Sequence, residues 1–456
     1  MKKISFLICC LLSIQHLFAG QEDSLMIRRI FSEALTKGES YQNLQVLCSS
    51  IGGRLSGSEN AAKAVEYIST VMKRLNADSV YKQACMVPHW VRGDAAEATI
   101  LAKDKAVSLP VCALGGSIGT GAKGLTAQVI EVHSFDELKK LGKEKLKGKI
   151  VFYNRPMDPT LINTMHAYGG AARQRYSGAM EAAPYGAIAV VVRSLSLSKQ
   201  DFPHTGAMGY ADTIVKIPGC AISTNAADLL SESLKKNPEL SFYLRLNCES
   251  LPEVQSYNVV AELKGQSEPE KIIVFGGHLD SWDTGQGAHD DGAGVVQSIE
   301  VIRILKALNY VPKNTIRAVA FMNEENGRRG GLKYLELAQK NKEQHIAALE
   351  SDEGGFAPLG FSMDASTEVR NRVKSWRPLL EPYGIYNFNE SGSGSDIDPL
   401  VDTGVPGFSL LPESQRYFDY HHSPEDSFDK VNKRELELGA AAMAAFIYLI
   451  DQKGLK

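Results

Sequence analysis

From Tyr257 onward, short apolar runs alternate with segments of helical periodicity, and this alternation limits the fold more than any other feature of the chain. The runs are NVVAEL, IIVFGGH, IRAVAFM and HIAALESD, with helices expected at about Ala293–Leu308, around Leu332–Asn341 and at about Lys433–Ile450. Strands alternating with helices predict an α/β fold, a mostly parallel sheet flanked by helices. The segment after Asp291 fits, since Val295, Ile299, Ile302 and Leu305 form one helical stripe suited to packing on such a sheet.

Upstream the texture changes. Residues 23–76 read as helical apart from the turn-rich IGGRLSGSEN, and the following Ala61–Leu75 repeats apolar residues at helical spacing. Between about Thr99 and Glu253 there are glycine-rich turns (GGSIGTGAKG), short β-branched runs (KIVFY, AIAVVV) and few long helical patterns. The simplest organisation is one α/β domain, residues 21–98 and 254–456, split by a β-rich insertion at 99–253.

The first 20 residues, MKKISFLICCLLSIQHLFAG, place two lysines before an apolar run that ends in small residues. This is the layout of a signal peptide, so a secreted or periplasmic protein is expected. The run is shorter than the roughly 20 residues of a comfortable membrane span and is interrupted by Gln15 and His16; no other run approaches it, and no membrane span is expected. A lipid anchor at Cys9 or Cys10 is the rival reading, but the residues before them are not the small ones such a site needs. Cys48, Cys85, Cys112, Cys220 and Cys248 remain, an odd number without a CxxC pair. A Cys220–Cys248 bridge cannot be assigned from sequence, and burial as small hydrophobes is the simpler role. A hydrophobic content of 44% excludes a disordered chain, and a formal net charge of −3 argues against nucleic acid as a partner.

Chemistry is concentrated in four clusters near expected strand ends, where open α/β sheets place their sites. They are GGHLDSWDTGQGAHDDGAG (His278, Asp280, Asp290, Asp291), FMNEENG (Glu324, Glu325), ALESDEGG (Glu350, Asp352, Glu353) and DYHHSPED (Asp419, His421, His422, Asp426). Each alone reads as loop charges or caps. Together they bring carboxylates into one small volume, where mutual repulsion and burial oppose ionisation unless a cation is present. Imidazole nitrogen with carboxylate oxygen and no thiolate suits zinc, with cobalt or manganese as substitutes. His278 and Asp280, two apart in an extended segment, point the same way, so Asp280 is placed to accept the second imidazole hydrogen. Glu324 and Glu325 diverge, which leaves one for a metal and one as general base.

The ordered set from His278 to His422, with GHLDSWD, DDGAG, FMNEENGRRGG, ESDEGGFAPLGF and YFDYHHSPEDSFD, resembles the co-catalytic two-zinc exopeptidases that include secreted aminopeptidases. The resemblance covers most of 23–456 and implies a zinc exopeptidase fold, two zinc ions per chain and small peptides, dipeptides above all, as substrates. It also implies that LKGKIVFYNRP, YGAIAVVV and IPGCAIS belong to a protease-associated-like domain, and that the protein forms a homodimer. Carried over, it implies His278, Asp290 and Asp352 around one zinc, and Asp290, Glu325 and His422 around the other. Glu324 is then the base, and Asp280 the partner that orients His278. Asp291 for Asp290 and His421 for His422 are the open alternatives. NESGSGSDIDPL is implied to lie near substrate, with Ser395 and Asp396 as candidates; Arg416, Tyr417 and Tyr420 are further candidates for the cleft wall. Competing functions are an aminopeptidase on longer chains, a glutaminyl cyclase needing one zinc, and an inactive binding protein of the same fold.

Overall fold

The apolar runs become the centre of a seven-stranded sheet in the computed structural model, which describes residues 21–102 and 105–456. The expected signal segment, residues 1–20, lies outside them. In chain order the strands are β1 (Ser79–Val91), β2 (Glu97–Ala102), β3 (Lys105–Leu109), β4 (Val111–Ala113) and β5 (Leu125–Val132). Next come β6 (Ile150–Tyr153), β7 (Ala189–Arg193), β8 (Gly219–Ile222), β9 (Ser241–Arg245) and β10 (Glu249–Leu263). The last are β11 (Glu268–His278), β12 (Asn314–Phe321), β13 (Gln344–Glu350), β14 (Pro358–Asp364) and β15 (Gly407–Pro412).

The seven-stranded sheet has the order β1-β10-β12-β11-β13-β15-β14. Its middle strands β12, β11, β13 and β15 are parallel, and the flanking pairs are antiparallel. β12 is buried at every position, as a strand covered on both faces must be. Its one charged residue, Arg317, is neutralised by Glu262 and Glu343, each at 2.6 Å. The helix Ala293–Ala307 is buried on nearly all sides, wider than the single stripe expected, because the closing helix Lys433–Lys453 packs over it. Beneath, Phe361 and Phe446 stack 4.0 Å apart within the largest apolar core.

A second sheet, β3-β2-β9-β5-β6-β7-β8-β4, forms the insertion. It is less purely β than its sequence reads: β5 to β8 run parallel, and helices Phe135–Leu146, Thr164–Ala182 and Thr224–Lys236 accompany them. Thr164–Ala182 is 19 residues long yet was invisible to periodicity, because it packs through small residues such as Ala167, Ala171 and Ala179 and has no stripe of large ones. The insertion's strands lie between Glu97 and Arg245; the expected limit at 253–254 falls inside β10, whose Glu249 already pairs with Val91 of β1. All five cysteines described are free and buried, so Cys220 and Cys248 are not bridged. Among the described residues no helix is long and apolar enough to cross a membrane.

Candidate metal centre

The sheet order sets the site. β11 lies between β12 and β13, so His278 at its end is flanked by Glu324 and Glu325 after β12 and by Asp352 after β13. Asp290 arrives from the segment between β11 and helix Ala293–Ala307, and His421 and His422 from the loop beyond β15. Close approach at this edge depends on Gly294, where a Cβ would meet the Ser351 carbonyl oxygen at 1.8 Å.

The Asp290 carboxylate is shared. Its Oδ1 lies 3.2 Å from Nε2 of His278, and its Oδ2 lies 3.2 Å from Nε2 of His422 and 3.6 Å from Nε2 of His421. Nε2 of His278 is also 3.2 Å from Asp352 Oδ1, and Nε2 of His422 is 3.2 Å from Glu325 Oε2. The buried Asp352 Oδ1 nonetheless accepts no well-aligned hydrogen bond. The donor atoms of His278, Asp290 and Asp352 all lie within 4.8 Å, as do those of Asp290, His421 and His422. His421 therefore stands beside His422 at Asp290, with the two rings stacked at 3.5 Å.

Electrostatics agree with a cation-seeking cluster. Burial and Asp290 push Glu325 up to about 8, and burial pushes Asp352 up to about 6. Burial opposes charge on His278 and His422, but the carboxylates beside them win: Asp352 and Asp290 hold His278 well above the usual imidazole range, and Glu325 and Asp290 raise His422 to about 10. Protons on these imidazoles do the neutralising that a divalent ion held by the same atoms would take over. Two imidazoles among carboxylates, with no thiolate, are the donors zinc takes.

The remaining sequence candidates separate by role. Asp291 is occupied by the backbone: its Oδ2 accepts from the N–H of His278 and its Oδ1 from that of Gly294, both at 2.9 Å. The second nitrogen of His278, Nδ1, is 2.9 Å from the main-chain oxygen of Asp280, whereas the Asp280 carboxylate is 3.9 Å away. That carboxylate instead accepts from the N–H groups of Asn323 (2.6 Å) and Glu324 (3.1 Å), so it orients the glutamate loop, not the imidazole expected from spacing. Asp426 accepts from the N–H groups of His289 and Asp290 and so fixes the backbone at Asp290. Glu350 turns away and accepts from the N–H groups of Asp396 and Ile397.

A cleft of about 600 Å³ opens over the cluster. Glu324, Glu325, Asp290, Asp352, Ser395 and Tyr417 line it from the peptidase side. Asp396 is buried beside Glu350 and is not on the wall; Arg416 pairs with Glu413 and Glu435, and Tyr420 stacks on His289. Asn323, Arg328 and His422 at this edge all have positive φ (74°, 57° and 61°), a costly backbone for non-glycine residues that concentrates at functional sites. Sequence reading missed the opposite wall. It comes from the insertion, with Tyr168 and Arg175 on the glycine-rich helix, and no motif marks them.

Residues 258–447 match peptidase family M28. Carboxypeptidase Q of Xenopus laevis is 38% identical over 414 residues, covering 91% of this chain and 86% of that protein. Carboxypeptidase Q of Bos taurus is 35% identical over the same length, with 91% and 85% covered. The crystal structure of a peptidase M28 precursor from Shewanella amazonensis superposes with a TM-score of 0.90 at 34% identity, covering 95% of this chain and 97% of that one. With likeness of this extent along nearly its whole length, the chain belongs to peptidase family M28 and is a zinc-dependent hydrolase.

Proposed function

We propose that this is an exported two-zinc exopeptidase that cleaves short peptides, dipeptides above all. The observation that carries the reading is Asp290, whose two oxygens face different histidines, His278 and His422, each at 3.2 Å. His278, Asp290 and Asp352 would hold one zinc; Asp290, His422 and Glu325 would hold the other, with His421 adjacent. When bound, such a pair supplies Lewis acidity that polarises a carbonyl and acidifies a water.

The chain's own residues do the rest. Glu324 lines the cleft next to the cluster, and Asp280 pins its backbone N–H at 3.1 Å. Its carboxylate takes the proton of the attacking water and returns it to the leaving amine nitrogen. Wall residues of the insertion hold the peptide and exclude solvent. A cleft of about 600 Å³, closed on one side by the insertion, favours short substrates over long chains. The N-terminal MKKISFLICCLLSIQHLFAG supports export.

Glu324→Gln tests the assignment. The variant is expected to retain wild-type zinc content while kcat falls about 10²–10⁴-fold. A zinc-replete E324Q protein with near wild-type turnover removes Glu324 from the role. N-blocked and C-amidated peptides separate dipeptidase from aminopeptidase behaviour on the same preparation.

A further inference from the structure

Buried arginines keep their charge and need partners. Arg54 has three main-chain oxygens, of Leu279, Gln286 and Gly287, at 2.6 to 2.9 Å. Arg193 pairs with Asp228 at 2.7 Å, and Arg317 has two glutamates. Arg175 differs. It is only 9% exposed, yet no carboxylate pairs with it among the described residues, and its Nε has no partner. Nη2 donates to the Tyr168 hydroxyl at 2.6 Å, and Nη1 reaches the Thr205 carbonyl oxygen only at 3.5 Å. The side chain lines the cleft.

Its position is informative. The His422 ring stands between Arg175 and the acidic cluster, with Nδ1 3.4 Å from Arg175 Nη1 and Nε2 facing Asp290 and Glu325. One residue of extended chain spans about 3.3–3.6 Å, so a cation one imidazole away from the cluster is within reach of a carboxylate on the residue that follows the cleaved bond. The guanidinium is also fixed in place. Tyr168 lies beneath it at 5.4 Å, and it rests against bare backbone at Gly206, where a Cβ would come 2.4 Å from Cζ. A planar, immobilised guanidinium with donors to spare suits a carboxylate.

We infer that Arg175 grips the free α-carboxylate of a short peptide, so that the insertion, not the peptidase sheet, imposes the need for a free C-terminus. The inference rests on the hydrolytic reading above and adds to it the residue that selects for a free C-terminus. Arg328 is the other cation on the wall, but it is half-exposed and already faces Asp398 at 3.8 Å.

The test compares one dipeptide as free acid and as C-terminal amide on the zinc-loaded enzyme. Wild type is expected to prefer the acid. Arg175→Gln is expected to lower kcat/KM on the acid by about 10–100-fold, the effect of losing a charge-assisted hydrogen bond, and to bring the acid-to-amide ratio near one. Arg175→Lys should fall between. Equal losses on both substrates, or loss of discrimination in Arg328→Gln instead, overturn the inference. Wild type gives an independent check, since a free amino acid product should inhibit more strongly than its amide. Equal inhibition, with both dipeptides cleaved alike, overturns the role of Arg175 and leaves the peptidase reading standing. No cleavage of either dipeptide overturns the peptidase reading itself.

Discussion

Two sheets in this molecule end parallel strands in polar residues, and they use them in opposite ways. In the insertion the carboxylates are matched by donors. Glu131 accepts from Asn154 (2.6 Å) and Ser231 (2.9 and 3.0 Å), Arg193 pairs with Asp228, and the Ser194 hydroxyl donates to the Ile222 carbonyl at 2.7 Å. At the ends of β11, β12 and β13 the carboxylates outnumber what their neighbours can neutralise, and Asp352 Oδ1 is buried without a donor. Polarity at strand ends therefore does not mark a reactive site. Like charges held together at a cost mark it, because protons or a bound cation must relieve them.

The strongest way to break this contrast is to act on the shared carboxylate. Asp290→Asn, or chelation of the wild type, is expected to lower activity by at least about 10³-fold, with zinc restoring the chelated enzyme and not the variant. Metal content measured alongside rates decides it; an active D290N preparation with no zinc ends the comparison. A smaller effect is expected where the two regions touch. A Cβ at Gly115 of the insertion would lie 1.8 Å from Cη2 of Trp282, whose backbone N–H donates to Glu325 at 3.2 Å. Gly115→Val should displace Trp282 and cost about 1–3 kcal/mol of stability, with kcat/KM falling roughly tenfold. Unchanged kinetics would show that the insertion's seat has no hold on the ligand.

The smallest effect lies away from both, on the helix Ala293–Ala307. Burial pushes Glu300 up to about 8, with Arg303 opposing and Glu437 adding to it. The folded state thus binds this proton more tightly than the unfolded chain does, near 4.5. Its stabilising contribution is complete below about pH 4.5 and is lost as pH rises to about 8. Glu300→Gln should flatten that decline, raising the melting temperature by about 2 °C at pH 8 relative to wild type and little at pH 5. Parallel melting curves for the two proteins across this range would contradict it.

The part of the fold that sequence reveals is the part governed by large apolar residues. The runs around Ile273, Ala318 and Ala348 read as strands because burial on both faces demands near-continuous hydrophobicity. The acidic clusters were legible because their spacing follows strand ends. The helix carrying Arg175 was not, since alanine and glycine pack closely without leaving a period. Nor was the use of Asp280: two residues of separation predict the same side of a strand, but not that a backbone oxygen takes the imidazole hydrogen and frees the carboxylate for the next loop. The seat of Asp290 on Asp426 depends on residues 136 apart meeting, which no local pattern encodes.

The path by which the insertion joins the rest has a mechanical consequence. The chain leaves along β1 and comes back along β10, and these two strands are hydrogen-bonded to each other up to Val91 and Glu249. A doubled tether of this kind resists twisting and bends most easily across its own plane. The wall that carries Arg175 is therefore seated over Asp290, Glu325 and His422 through two paired strands, a stiffer mounting than a single strand would give.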